Sequence, residues 1–368
     1  MSAPRHGGNV FAAAQRLGVA VSRILDFSAN INPLGPSPKA LRRLRSELRL
    51  IQHYPDGQNS ELRALVAKME GADPNCLLFG NGATQLLHLV TRFLRPTKAL
   101  ILEPGFAEYE AALRAVKCKI HRLYLAPEVC FCLEPDRLFG AIRHQRPDLI
   151  VLANPNNPTG KTIPHSVLLE LCRLCSKKRI PLLLDESFID FTREPSFLAE
   201  ASRRPYLFVV RSLTKFWALA GLRIGLLVAQ RPSIKKLSAH IEPWSVNTLA
   251  SAAAAASLRD SEYRRKTRAL VREERAFLSK QLSALGWLMP YASAANFLLV
   301  HIEAKGLHSN ELCSRLEKRN ILVRDAGSFP GLDRKYIRIA VRSRADNQRL
   351  IKELRTVGRS FGVSPGEL

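Results

Sequence analysis

Short apolar runs alternate with helix-like stretches through the middle of the chain, and this alternation limits the possible folds more than any other feature. Four runs rich in Leu, Ile and Val have the length of buried strands, at 99–102, 149–153, 180–184 and 207–210. Helix-like stretches flank them at 82–94, 105–116 and 166–178. Strands that alternate with helices form parallel or mixed sheets covered on both faces. We therefore predict an α/β fold with a mixed, mostly parallel sheet.

The pattern changes near residue 235, and this change divides the chain. Residues 1–45 are rich in Pro, Gly and Asn and are predicted to form an arm associated with a small domain. Residues 46–235 are predicted to form the large domain. Residues 236–368 open with a long helical stretch, broken near Asp260, and then alternate strands and helices, which predicts a smaller α+β domain. A length of 368 residues suits two domains of roughly 100–200 residues each.

The chain is strongly basic, with 56 Lys and Arg against 32 Asp and Glu and a net charge of +24. Such a charge suits either nucleic acid or a small anionic substrate. The basic residues are spread along the chain, and no helix-turn-helix, zinc-finger or RRM pattern accompanies them. We expect a small anionic ligand and no nucleic acid, with a basic nucleic-acid-binding protein as a remote alternative.

Cysteine usage and apolar run lengths bear on compartment and metal binding. No run approaches the ~20 apolar residues of a membrane helix, and the first residues do not form a signal peptide. We expect a cytoplasmic protein with no membrane partner. Seven cysteines do not suggest a disulfide framework. Cys172 and Cys175 form a CxxC without a second ligand pair, so they are expected to be core thiols and no metal is expected.

Four segments place polar residues just after predicted strands, where ligands bind in α/β sheets. They are the glycine-rich turn at 80–84, the NPNNPTG segment at 154–160, Asp185, and the RSLTK segment at 211–215 with Arg223 beyond it. A glycine-rich turn that opens a helix can hold a phosphate, and an acid that ends an apolar strand needs a cationic partner. A lysine beside hydroxyls and a second cation has the setting of a Schiff-base amine. Each segment alone also fits an ordinary turn, ion pair or surface lysine, so only the ordered set is specific.

Taken in order, these segments resemble the fold-type I enzymes that use pyridoxal 5'-phosphate (PLP), of which aspartate aminotransferase is the type. The resemblance covers nearly the whole chain. It implies that Lys215 carries PLP as a Schiff base and that Asp185 keeps the ring nitrogen protonated. It also implies cofactor contacts by the residues Gly82, Ala83, Phe106, Asn157, Ser212, Thr214 and Arg223.

Two families of this superfamily are the most similar. The segments HGGN at 6–9, DFSANINPLG at 26–35, PGFAEY at 104–109 and PWSVN at 243–247 resemble threonine-phosphate decarboxylases of cobalamin biosynthesis. Histidinol-phosphate aminotransferases are the other family, and they usually have Tyr where this chain has Phe188. The resemblance implies a homodimer in which a neighbouring subunit donates Tyr54. It implies substrate contacts by the residues His6, Asn32, Tyr54, Asn157, Arg324 and Arg338.

The expected reaction is the PLP-dependent decarboxylation of L-threonine O-3-phosphate to (R)-1-amino-2-propanol O-2-phosphate for cobalamin biosynthesis. The alternative is transamination of histidinol phosphate or a similar compound. The bond on Cα that stands perpendicular to the cofactor plane is the one that breaks, and both reactions use Lys215 and Asp185. The residues alone therefore leave both reactions open, and the family resemblance favours the decarboxylase.

Overall fold

A central seven-stranded sheet organises the structure, a computed structural model that describes residues 6–361. The strands of the chain are β1 Leu25–Asp26, β2 Leu77–Gly80, β3 Lys98–Glu103, β4 Lys119–Tyr124, β5 Leu149–Ala153, β6 Leu182–Asp185, β7 Leu207–Ser212, β8 Gly225–Val228, β9 Leu288–Pro290, β10 Phe297–Ile302, β11 Ile321–Leu322, β12 Arg324–Asp325 and β13 Tyr336–Ala340. The large sheet has the order β2-β8-β7-β6-β5-β3-β4. Only β8 pairs antiparallel with its neighbours, so the predicted mixed, mostly parallel sheet is confirmed.

Both faces of the large sheet are covered at its inner strands, which explains why β5 is a continuous apolar run. In β5, Ile150 and Leu152 point into one apolar core, whereas Leu149 and Val151 point into a second core on the opposite face. Successive side chains of a strand alternate between the two faces, so a strand buried on both sides must be apolar at every position. Because β3, β5, β6 and β7 run parallel, their carboxyl ends meet at one edge of the sheet.

Thirteen helices lie among the described residues. They are α1 Val10–Leu17, α2 Pro38–Glu47, α3 Ser60–Glu70, α4 Ala83–Leu94, α5 Ala107–Ala115, α6 Pro135–Gln145, α7 His165–Lys178, α8 Leu198–Arg203, α9 Arg231–Ser238, α10 Thr248–Leu258, α11 Ser261–Ser283, α12 Ser309–Glu317 and α13 Arg344–Arg359. The predicted break near Asp260 is confirmed, because its side chain accepts the Tyr263 N–H and caps α11. In the described part of the chain no helix combines the length and the apolar character needed to cross a bilayer.

A second, antiparallel sheet with the order β12-β13-β10-β9 lies in the C-terminal third. Its own core includes Val300 and Ile339 from the sheet and Leu350 from α13. The arm joins this unit, because β1 pairs in parallel with β11 and Phe27 enters the same core. Ala40 of α2 instead lies in the core of the large sheet, so the arm contacts both units and its association with the small domain stays a prediction.

The predicted division at residues 235 and 236 stays a proposal, and the packing of α10 favours a later boundary. Ala250, Ala253 and Ala254 of α10 lie in the core of the large sheet. The helix packs against α2 and α3. The alanine run lets these helices approach closely, so this part of the segment 236–368 belongs with the large unit. The CxxC prediction is confirmed, since Cys172 and Cys175 are free thiols buried in that core.

Candidate active site

One cavity of about 430 Å³ opens where the parallel strands end. It brings together most of the residues that the sequence singled out, which come from eight separated segments. Those on its wall are His6, Ala83, Phe106, Asn157, Asp185, Ser212, Thr214, Lys215, Arg223, Arg324 and Arg338. Gly82 immediately precedes Ala83 at the start of α4. Since β5, β6 and β7 each end at this edge, the sheet itself sets the spacing of Asn157, Asp185 and Lys215.

Lys215 and Asp185 both line the cavity, and their opposite charges act on each other. Burial lowers the pKa of Lys215 to about 8, and the charges of Arg338 and Arg223 act in the same direction while Asp185 opposes them. Burial raises the pKa of Asp185, against hydrogen bonds from Ser187 and Tyr109 and the charge of Lys215. A lysine with a lowered pKa supplies a neutral amine near physiological pH, which is the form that bonds to an aldehyde.

The amino end of α4 supplies backbone donors at one end of the cavity. Gly82, with a φ of 84°, is the residue before α4, and it has no side chain that could accept from the first N–H groups of the helix. The guanidinium of Arg223 lies against Gly82, where an added Cβ would be only 2.5 Å from Nη2. The hydroxyls of Ser212 and Thr214 are 2.6 Å apart beside it. Helix N–H groups, two hydroxyls and a guanidinium together suit a phosphate group.

Two buried arginines lie at another part of the wall. Arg338 donates from Nη1 to Asn157 Oδ1 at 2.6 Å and from Nη2 to the Ser28 carbonyl at 2.7 Å, whereas its buried Nε has no partner. Burial and the charge of Arg324 lower the pKa of Arg338 to about 9, although Asp26 opposes them. Arg324 donates to Ser328 at 3.0 Å. Two buried guanidinium groups in one wall are suited to an anionic ligand, since an anion offsets their mutual repulsion.

A carboxylate bridges two histidines beside the cavity. Glu108 accepts from His6 at 2.8 Å and from His88 at 3.0 Å. Burial would raise the pKa of Glu108, but these hydrogen bonds outweigh burial and lower it. The ring of His6 lies 5.7 Å from that of Phe106, so the arm contacts the start of α5. The arm thus reaches the cavity through His6, which stays a predicted substrate contact.

Two of the predicted substrate contacts lie off the cavity wall. Asn32 is buried behind Lys215, with its N–H donating to the Lys215 carbonyl at 3.1 Å and its amide donating to the Phe216 carbonyl at 2.8 Å. Its side chain therefore holds the loop of Lys215 from behind, whereas the predicted substrate contact would require it on the cavity wall. Tyr54 is 80% exposed and stacks on Trp244 with ring centres 4.4 Å apart. Tyr54 does not line the cavity, and its donation to a neighbouring subunit stays a prediction.

Sequence reasoning missed three residues of the site. Tyr109 donates its hydroxyl to Asp185 Oδ2 at 2.7 Å, Glu108 bridges the histidines, and Ser28 accepts from Arg338. Tyr109 follows Phe106 by three positions, so the helical period that places Phe106 at the cavity also brings Tyr109 to the same side. That spacing was the available signal for it. The Ser28 contact uses a backbone carbonyl, which side-chain patterns do not indicate.

The family profile described as aminotransferase class I and II matches residues 22–354. The chain belongs to this family. Two relatives and one solved structure are similar to the chain over most of its length. The chain is 38% identical over 366 residues to threonine-phosphate decarboxylase of Salmonella typhimurium, which covers 98% of both chains.

A second relative is the adenosylcobalamin biosynthesis bifunctional protein CobDQ of Leptospira interrogans. Identity is 33% over 359 residues, which covers 95% of this chain and 41% of that protein. Among solved structures, L-threonine-O-3-phosphate decarboxylase from Porphyromonas gingivalis aligns with a TM-score of 0.81 and 30% identity, covering 92% of this chain and 100% of the other. The fold is thus shared with proteins of this family.

Proposed function

We propose that the chain is a PLP-dependent decarboxylase of L-threonine O-3-phosphate that forms (R)-1-amino-2-propanol O-2-phosphate for cobalamin biosynthesis. The observation that carries the proposal is the pairing, in one cavity, of a low-pKa lysine beside a buried aspartate with two buried arginines. The first pair suits PLP and the second suits an anionic amino acid. The names of the relatives from Salmonella typhimurium and Leptospira interrogans support this substrate and this pathway.

The residues present fit PLP at both of its ends. Lys215 would bond to the aldehyde carbon, and Asp185 would accept from the protonated ring nitrogen. The uncapped N–H groups of α4 with Ser212, Thr214 and Arg223 would hold the phosphate. Because Asn157 Oδ1 already accepts from Arg338, the amide NH₂ of Asn157 is left as the donor for the ring 3'-oxygen. When bound, PLP supplies a conjugated ring that takes up the electron pair left on the substrate carbon.

The arginines would orient the substrate. Arg338 would hold the amino-acid end, because the bonds to Asn157 and Ser28 fix its guanidinium. Arg324 and His6 would bind the substrate phosphate. In the reaction, the bond between Cα and the carboxylate carbon breaks, its electron pair stays with Cα, and CO₂ leaves. A proton must then reach Cα, and Lys215 can carry it, since a pKa of about 8 lets its amine gain and lose a proton near neutrality.

A second candidate is an aminotransferase for histidinol phosphate or a similar compound. The observation that favours it is the family itself, whose profile is described by aminotransferase activity. In that reaction the Cα–H bond breaks and the amino group passes to a 2-oxo acid. The buried ring of Phe188, which lines the cavity and packs edge-on against Phe297, provides no hydroxyl near the cofactor. Histidinol-phosphate aminotransferases usually have Tyr at this position, so Phe188 departs from their pattern.

We also propose a homodimer in which Tyr54 enters the partner's site. Large apolar side chains are exposed between residues 41 and 54, and they include Leu48, Ile51 and Tyr54. Trp244 extends this surface by stacking on Tyr54. Contiguous exposed apolar surface is typical of protein interfaces. A second copy that covers this surface would bury these rings and complete the cavity.

We propose that the enzyme works in the cytoplasm. All seven cysteines are free thiols, and Cys130 and Cys132 are exposed. Exposed free thiols suit a reducing compartment. Small-molecule phosphate substrates are also kept inside cells by their charge.

Release of CO₂ from L-threonine O-3-phosphate tests the reaction. The purified protein, loaded with PLP, should release one CO₂ for each aminopropanol phosphate formed, and addition of 2-oxoglutarate should not raise the rate. Histidinol phosphate with 2-oxoglutarate is the parallel assay. Glutamate formation that requires histidinol phosphate, without CO₂ release from threonine phosphate, would establish the aminotransferase instead.

A further inference from the structure

Tyr109 links two residues that face the proposed cofactor. It lies in the first turn of α5, three positions after Phe106, and only 4% of it is exposed. Its hydroxyl donates to Asp185 Oδ2 at 2.7 Å, and its ring meets that of Phe106 edge-on with centres 5.6 Å apart. One side chain therefore contacts both the acid at the end of β6 and the aromatic ring before α5.

The two oxygens of Asp185 have different partners. Oδ1 accepts the Ser187 N–H at 2.8 Å, within its own loop. Oδ2 accepts only the Tyr109 hydroxyl among the hydrogen bonds of the described residues. Local backbone geometry thus fixes one oxygen, whereas the other depends on a side chain 76 residues away in the sequence. Loss of that donor removes one of the hydrogen bonds that favour the ionised carboxylate, the others coming from Ser187, so the protonated acid becomes more favourable.

We propose that Tyr109 is a positioning residue that keeps Asp185 ionised and oriented towards the ring nitrogen of PLP. This inference rests on the proposed cofactor and deepens it. A protonated Asp185 would hold a protonated ring nitrogen less tightly, because the neutral acid no longer offsets the positive charge of the ring. Tyr109 therefore sets the lowest pH at which the cofactor is held tightly. It would act on PLP only through Asp185.

The charges around this pair determine the direction of the effect. Burial raises the pKa of Asp185, and Ser187, Tyr109 and Lys215 oppose burial. Burial and Asp185 raise the pKa of Tyr109 far above its usual value, so its hydroxyl stays a donor throughout the working range. Glu103, at the end of β3, is the other acid that acts on Tyr109. Burial raises the pKa of Glu103 to about 7, so it loses its charge as the pH falls below neutrality.

The variant Tyr109→Phe removes only the hydroxyl and keeps the edge-on contact with Phe106. The dissociation constant of PLP is measured across pH by quenching of tryptophan fluorescence, with the apoprotein prepared from the full chain. The parent should lose affinity as pH falls through the pKa of Asp185. In Tyr109→Phe this acid limb should move up by about one pH unit, with about tenfold weaker binding on the limb and unchanged binding at alkaline pH.

Tyr291→Phe is the matched control. Tyr291 is also buried and packs edge-on against Phe131, but it does not line the cavity. It should lower the melting temperature about as much as Tyr109→Phe and leave the acid limb in place. Equal movement of the limb in both variants would show that Tyr109 acts only through general stability, and it would overturn the inference.

Two further measurements keep the inference testable if Tyr109→Phe folds poorly. Difluorotyrosine incorporated at position 109 keeps the shape and donates more strongly, so the acid limb should move down. In an Asp185→Asn background, Tyr109→Phe should cause no shift of the limb. A parent protein that binds no PLP at any pH would refute the proposed cofactor. A parent that binds PLP, with an unmoved limb in Tyr109→Phe, would refute only this role of Tyr109.

Discussion

Arg324→Gln tests the phosphate end of the proposed substrate site. Arg324 is buried at the cavity wall, donates to Ser328 and lies 5.4 Å from the centre of the Phe329 ring. A full charge held ~4 Å from a phosphate is worth about 4 kcal/mol at an effective dielectric constant of about 20. Removal of one partner from a buried charge pair commonly costs about 2–5 kcal/mol. We take about 3 kcal/mol as the transition-state stabilisation lost in Arg324→Gln, which at ~1.4 kcal/mol per decade is a factor of about 10² in rate.

The assay compares kcat/KM for L-threonine O-3-phosphate and for L-threonine. In Arg324→Gln the value for threonine phosphate should fall about 100-fold, whereas the value for threonine should hardly change, because threonine has no phosphate to lose. Arg315→Gln is the control: Arg315 also lies over an aromatic ring, Phe361, and pairs with Glu311, but it is outside the cavity lining. An unchanged ratio of the two values in Arg324→Gln would refute the assignment of the phosphate end.

Three other predictions follow from the same cavity. The pKa of Lys215 is lowered to about 8, and only its neutral amine bonds to an aldehyde. The rate of PLP uptake by the apoprotein should therefore rise with pH and level off above about 8. A stopped-flow rate that is flat from about pH 6 to about pH 9 would contradict this. Gly225→Ala should weaken PLP binding, because the added Cβ would lie 2.4 Å from the Ala83 nitrogen. Gly221→Ala should not weaken it, because no atom lies within 4 Å of a Cβ added there. Equal PLP dissociation constants in the two variants would count against the phosphate site at the start of α4. Tyr54→Ala mixed with Lys215→Ala should regain up to about a quarter of parent activity through mixed dimers that hold one complete site, and no recovery would contradict a shared site.

Much of the large sheet could be predicted because its strands are buried on both faces. The runs 149–153, 182–184 and 207–210 are apolar throughout, and the edge at which they end brings Asn157, Asp185 and Lys215 together. The edge strand β4 was missed because it is only half-buried, and its sequence KIHRLY carries charge at positions that face solvent. In the C-terminal third, the short stretch at 321–325 is divided between β11 and β12, which belong to two different sheets.

The parts of the site that sequence reasoning missed depend on packing between distant segments. Tyr109 of α5 reaches Asp185 at the end of β6 across 76 residues of sequence, and no local pattern shows that contact. Asn32 was predicted to touch substrate, yet its amide is taken up by the Phe216 carbonyl and by Tyr263 behind the lysine loop. A motif identifies residues near the site, whereas the tertiary contacts decide which of them face the cavity.

The most direct test of the proposed reaction is the position of solvent deuterium in the product. The protein loaded with PLP is incubated with L-threonine O-3-phosphate in D₂O, and the products are examined by NMR and mass spectrometry. Decarboxylation replaces the carboxylate by one solvent-derived hydrogen, so the aminopropanol phosphate should carry one deuterium on the carbon next to nitrogen, with one CO₂ released. Recovered threonine phosphate with deuterium at Cα and no amine product would show that the Cα–H bond breaks instead, and it would contradict the proposed decarboxylase.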